Sequence, residues 1–225
     1  MKVSRQLLLV VLSRFALAFV VMGLFFFLPA GTLNYWQAWL FMLTLFVPLL
    51  FTLFYLLKYD PKLLERRMRT REKEGEQRRI LSLSLIFFLA AFILPGFDRR
   101  FGWSQAPAAL VICADLIVLA GYLLVIRVFR ENSYASRVVE VEQNQQVISS
   151  GPYAVVRHPM YASALIYLFG IPLALGSYWG LVVLGVMIPF LIWRLFDEER
   201  FLAKNLTGYT EYQQRVKYRL VPFVW

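Results

Sequence analysis

The segment between residues 131 and 222 holds most of the polar groups that could do chemistry. The run Gly151-Pro152-Tyr153-Ala154-Val155-Val156-Arg157-His158-Pro159-Met160-Tyr161 joins a Gly-Pro turn to a proline suited to the first turn of a helix. Arg157 and His158 therefore sit just ahead of a helix N-terminus, where free N–H groups and the positive end of the dipole collect. Such a place holds an anionic ligand group. A basic pair there also serves simply as the charged flank of a membrane helix. Further on, Trp193-Arg194-Leu195-Phe196-Asp197-Glu198-Glu199 ends an apolar run. Arg194 and Glu198 are four residues apart, hence on one helical face. Three acids at a helix C-terminus oppose the dipole. Either the helix continues past them, with an exposed Arg–Glu pair, or they have a partner, and a cationic ligand is one candidate. The tail from Tyr209 to Arg219 mixes tyrosines with basic residues and reads as an interfacial helix closed by Pro222.

These groups need elements to hold them, and the composition says of what kind. The chain has 225 residues, 60% hydrophobic and 17% charged. Soluble domains carry about 45–50% apolar and about 25% charged residues. Aromatics at 17% exclude a disordered chain. A single cysteine, Cys113, excludes an intrachain disulfide, and a single histidine, His158, excludes a Cys/His zinc site. Six apolar stretches stand out, over 7–28, 35–57, 81–97, 106–126, 160–175 and 178–196. A crossing needs about 20 apolar residues for a core of about 30 Å. The first, second and fourth meet this; the third, fifth and sixth are shorter and are expected to be tilted or shielded by protein. Only Gly176 and Ser177 separate the last two, so they form a tight helical hairpin. The first stretch is too long for a cleaved signal peptide, and no small-residue cleavage site follows it. The expected fold is an all-α polytopic membrane bundle of about six spans.

The net charge of +10 suggests nucleic acid first, but the placement of the cations argues for membrane orientation instead. With both termini cytoplasmic, 21 of the 24 Lys and Arg lie inside, Arg99 and Arg100 lie outside, and Arg14 lies within a span. That satisfies the positive-inside rule and adds attraction to anionic headgroups. The connector 58–79, with nine cations and five acids, reads as a short charged helix or solvated link. Arg14 and Asp115 are ionisable groups inside spans, where such groups mark function. Their plainer readings are snorkelling for Arg14 and, for Asp115, a hydrogen bond to a neighbouring helix or protonation. Composition shifts at Arg127: the single membrane domain divides into four spans over 1–126 and a polar, chemistry-bearing region over 127–225.

That second region resembles the isoprenylcysteine carboxyl methyltransferase family of membrane enzymes. The matching pieces are Asn132-Ser133, Val138-Val139, Ser150-Gly151-Pro152-Tyr153, Arg157-His158-Pro159-Met160-Tyr161, Glu198-Glu199-Arg200-Phe201-Leu202 and Tyr209-Thr210-Glu211-Tyr212-Gln213-Gln214-Arg215-Val216. The first four spans match only in being hydrophobic. The resemblance implies a multispan bundle with an S-adenosylmethionine site on its cytosolic side. It places donor contacts on Glu140, Gln145, Gln146, Val147, Ile148, Tyr153, His158, Pro159, Met160, Tyr161 and Glu198. Glu140 stands where the family more usually has glutamine. The family's substrate-side arginine falls on Arg194, four residues before the donor-binding glutamate.

The residue chemistry agrees. The donor is a sulfonium bearing an ammonium and a carboxylate. Arg157, His158 and the helix N–H groups suit the carboxylate, and Glu198 or Glu199 suits the ammonium or ribose hydroxyls. A carboxylate acceptor is already ionised and needs no base, so the protein supplies alignment, with an arginine gripping the acceptor bidentately. An amine acceptor would need a base such as His158 or a glutamate. The expected substrate is lipophilic or lipidated, with a prenylated cysteine carboxylate as the family's founding case. A phospholipid or small-amine N-methyltransferase is the enzymatic alternative, and a transporter or lipid-binding scaffold the non-catalytic one. Inner membrane and endoplasmic reticulum are not distinguished by the sequence.

Overall fold

A computed structural model describes residues 5–70 and 72–225. Lys2 and Arg71, counted above among the inside cations, lie outside the described residues, as does the side chain of Arg5. Eight α-helices appear among the described residues: α1 (Arg5–Ala30), α2 (Trp36–Tyr59), α3 (Pro61–Met68), α4 (Gly75–Phe101), α5 (Ala108–Glu131), α6 (Pro159–Ala174), α7 (Trp179–Asn205) and α8 (Tyr209–Arg215). A 3₁₀ turn, Gly151–Ala154, precedes α6. The fold is an all-helical membrane bundle. Helices α1, α2, α4, α5 and α7 are long and apolar enough to cross a bilayer. Helix α6, at 16 residues, spans about 24 Å and is short for a crossing.

The third and sixth apolar stretches belong to longer helices than their hydropathy suggests. Helices α4 and α7 each have 27 residues. In both, polar residues prolong the helix because they find partners. Gln77 is fully buried on α4 and donates to Asp197 Oδ2 (2.8 Å) and to the Arg194 carbonyl (3.2 Å) on α7. The acids after Arg194 are therefore an interior stretch of helix.

Helices α6 and α7 form the expected hairpin. Gly176 closes α6 in the left-handed region at φ +78°. Its N–H reaches the Leu173 carbonyl (2.9 Å), and the Ser177 N–H reaches Pro172 (2.8 Å), the paired bonds of a Schellman ending. Helices α5 and α6 pack without room for a side chain at their crossings. A Cβ on Gly121 would lie 2.8 Å from the Tyr167 nitrogen, and one on Gly170 would lie 2.7 Å from Val118. Small residues at a membrane helix crossing allow this approach. The core beside them contains Phe26, Tyr35, Phe41, Phe92 and Ala114, all buried.

The loops segregate to two ends. At one, Arg99 donates to the Asn34 carbonyl (3.4 Å), Ala106 N–H to Gly176 (3.3 Å), and Ser177 to Asp98. At the other lie α3, the segment 132–158 and α8. Arg14 donates to the Met68 carbonyl there (2.6 Å), pinning α1 to the end of α3. Asp115 is buried on α5, away from the cavity described below. In a Cys113→Ala background, Lys73→Cys and Gln105→Cys should react with an impermeant thiol reagent from opposite faces of sealed vesicles. Reaction from one face would overturn the alternation.

Candidate functional site

The 3₁₀ turn and the start of α6 are held in place by the C-terminal tail. Arg157 N–H bonds to the Tyr218 carbonyl (2.8 Å) and His158 N–H to Arg219 (3.0 Å). Gly151 adopts φ +55°, and a Cβ there would lie 2.6 Å from the Glu131 carboxylate. Asn132, at the end of α5, donates to the Tyr153 hydroxyl (2.8 Å), and the Tyr212 hydroxyl donates to the Tyr153 carbonyl (2.7 Å). Burial pushes the Tyr153 phenol up to about 12, so it stays protonated. Pro159 opens α6, leaving the N–H groups of Met160 and Tyr161 in the first turn, where a helix offers no internal partner.

These pieces enclose a cavity of about 410 Å³ at the basic end of the bundle, within the range of small-molecule sites. Glu140, Gln145, Gln146, Val147, Ile148, Tyr153, Arg157, His158, Pro159, Met160, Tyr161, Arg194 and Glu198 all line it. Thus the structure brings together every candidate site residue of the sequence reading except Glu199.

Glu199 is turned the other way. It is buried, with Arg157 Nε at 2.7 Å, His158 Nε2 at 3.2 Å and Arg219 Nε at 3.1 Å. The expectation that Glu199 faces a ligand is corrected: it faces the tail. The same contacts revise Arg157. Its guanidinium is neutralised by Glu199, and Nη1 donates to the Val216 carbonyl (3.0 Å). Glu140 is likewise engaged, with Arg69 and Ser136.

On the opposite wall Tyr161 bridges the two α7 residues. Its hydroxyl donates to Glu198 Oε2 and accepts from Arg194 Nε (3.0 Å). Arg194 Nη2 donates to the Arg137 carbonyl (3.3 Å) and lies 3.9 Å from Glu72. Arg194 Nη1 is buried with no hydrogen-bond partner. The Tyr209 hydroxyl on α8 is also buried without a partner and lines the cavity. Burial raises its pKa, so it remains a neutral donor. Unpartnered donors in a cavity cost free energy unless an acceptor enters.

Several lining residues escaped the motif reading. Arg67 and Thr70 come from the connector, which is more than a solvated link. Leu63 and Leu64 are buried, and Arg66 forms a fork with Glu142 at 3.0 Å and 3.0 Å. The hydrogen bonds from Arg66, then Arg69, hold the Glu142 carboxyl down to about 2. The i, i+1 sequence Leu63-Leu64 ahead of a basic run was the available signal. Tyr209 and Tyr212 belong to an α8 that ends at Arg215 and turns its tyrosines inward, in place of the interfacial helix expected of the tail.

A family model described as phospholipid methyltransferase matches residues 109–207. The protein-S-isoprenylcysteine O-methyltransferase B of Arabidopsis thaliana is 26% identical over 149 residues, covering 63% of this chain and 71% of that protein. Both matches bear out the resemblance carried by the motifs. The chain is thus similar to membrane methyltransferases, and its helices are those of a polytopic membrane protein.

Proposed function

We propose that the protein transfers a methyl group from S-adenosylmethionine to the carboxylate of a lipophilic acceptor, of which a prenylated cysteine terminus is the type. The observation that carries the reading is Arg194: a half-buried side chain in the cavity wall whose Nη1 is buried and free, one turn before Glu198 and linked to it through Tyr161. When bound, the donor supplies an activated methyl on a sulfonium. The chain's own groups suit that donor. Glu198 offers a carboxylate oxygen to an ammonium or ribose hydroxyl, Tyr209 offers an unspent hydroxyl, and the first turn of α6 offers N–H groups to a carboxylate. Arg194 holds the acceptor carboxylate, which is already ionised, so no side chain has to take a proton. The catalytic contribution is alignment of an in-line displacement. The basic end carrying this cavity faces the cytosol in this reading, with both termini on that side. The whole chain acts as one membrane domain, with 127–225 as its methyltransferase part.

The matched family's description favours a second reading, N-methylation of a phospholipid amine. An amine acceptor needs a base. His158 Nε2 is engaged with Glu199, and Glu198 with Tyr161. A cationic headgroup would also meet Arg194. Labelled-methyl transfer to an extracted lipid pool decides between the two: base-labile methyl esters support the carboxylate, and base-stable N-methyl groups overturn it.

Donor binding has its own test. Glu198→Gln keeps an acceptor for Tyr161 and removes the charge. Affinity for S-adenosylhomocysteine, measured by titration calorimetry, should fall about 10- to 150-fold. Unchanged affinity would move the donor site elsewhere.

A further inference from the structure

The acceptor reading above leaves Arg67 without a role, and its surroundings call for one. Helix α3 is held firmly. Asp60 caps it by accepting the Leu63 N–H (3.0 Å), Pro61 opens it, Arg14 ties its last turn, and Arg66 locks it to Glu142. Arg67 is the next residue, yet it makes no ion pair among the described residues. Its guanidinium lies 5.1 Å from the centre of the Phe129 ring and donates to the Ser136 carbonyl (3.2 Å). It lines the cavity together with Arg194, Tyr167 and Ala164. Arg137 and Arg194 are its charged neighbours there, and burial together with them pulls its pKa below the usual arginine value.

A half-buried cation without a carboxylate keeps part of its desolvation cost uncompensated, and the charges of Arg137 and Arg194 add repulsion. One carbonyl and one aromatic face offset part of that cost. An anion between Arg67 and Arg194 would remove the rest. The neighbouring charges point the same way. Glu140 and Arg157 are neutralised by partners already named. Of the charged residues that line the cavity, that leaves Arg67 and Arg194 against Glu198, with Arg137 exposed and with Glu72, outside the lining, 3.9 Å from Arg194. A donor carrying one net positive charge then leaves that charge for the acceptor to balance.

We propose that Arg67 is a second acceptor-binding residue, which with Arg194 grips an anionic acceptor head from two helices. This rests on the carboxylate reading and deepens it. A carboxylate has two oxygens with lone pairs to spare. Arg194 and Arg67 take them from opposite sides, fixing the plane of the group. The attacking oxygen forms its bond to the methyl carbon as the carbon–sulfur bond breaks. That electron pair goes to sulfur, and no proton moves. Arg67 lies outside the segment 109–207 that matches the family model, so in this proposal the connector adds to a grip that Arg194 supplies from within it.

The test compares binding of N-acetyl-S-farnesylcysteine with its neutral carboxamide, in the detergent-solubilised full chain with S-adenosylhomocysteine present. The wild type should prefer the carboxylate. Arg67→Gln, which can still reach the Ser136 carbonyl, should weaken the carboxylate about 10- to 150-fold. It should leave the carboxamide and S-adenosylhomocysteine affinities within about twofold. Arg67→Lys should restore part of the preference. If the preference survives in Arg67→Gln but is lost in Arg194→Gln, the role of Arg67 falls and the carboxylate reading stands. If all three affinities drop together with thermal stability, Arg67 is a structural residue and the proposal falls. A wild type with no preference for the carboxylate would overturn the carboxylate reading itself.

Discussion

Arg194→Ala should lower turnover by at least about 10²-fold while leaving affinity for S-adenosylhomocysteine nearly unchanged. The magnitude is that of a reacting group displaced by about an ångström from its line of attack. The geometry gives the direction. Arg194 Nε is spent on Tyr161 and Nη2 on the Arg137 carbonyl, while Nη1 is buried and free. Alanine removes the one strong donor on this wall without touching Glu198, which keeps its bond from Tyr161. Arg194→Lys should recover little, because a point charge lacks the planar fork. The pair of variants also tests the acceptor. With a carboxylate both are severe. With an amine, removal of the charge should be harmless or helpful. If Arg194→Ala weakened the donor as much as Glu198→Gln does, Arg194 would be a strut for Tyr161 and Glu198, and its substrate role would be lost.

The same residues show how far the sequence reaches. Arg194 and Glu198 were legible because helical spacing alone places them on one face, and both line the cavity. The hairpin was legible from Gly176 and Ser177, since so short a link admits only a reversal of direction. The lengths of α4 and α7 were not, because hydropathy cannot see that Gln77 and Asp197 satisfy one another across the two helices. The connector misled for a related reason. Its charges look solvated in sequence, and only the fold supplies Glu142 for Arg66 and the cavity for Arg67. Spacing also could not separate Glu198 from Glu199. Adjacent helical residues point about 100° apart, and which one meets a ligand depends on where the tail comes to rest.

That separation yields the sharpest contrast between neighbours. Glu199→Ala should destabilise the protein by about 3–5 kcal/mol, the cost of removing one partner from a buried ion cluster. The carboxylate holds Arg157 and His158 on one oxygen and Arg219 on the other. Arg157 and His158 are nearly inaccessible, at 7% and 5% exposure, so a cation left there finds no water to replace the lost charge. The loss should spread along the tail, because Arg157 also gathers the carbonyls of Gln213, Val216 and Lys217. Those bonds seat α8, and with it Tyr209 and Tyr212 against the cavity. Donor affinity should therefore fall as a consequence of tail release, in parallel with accelerated proteolysis after residue 205. Glu199→Gln keeps two hydrogen-bond acceptor positions on one oxygen and should cost less. Glu198→Gln, one residue earlier, should change stability by under about 1 kcal/mol, because Tyr161 retains its acceptor. Thermal unfolding and limited proteolysis of the three variants in one detergent measure the difference. Equal stability for Glu199→Ala and Glu198→Gln, with equal loss of donor affinity, would mean that both acids serve the ligand and that the tail is held by other contacts.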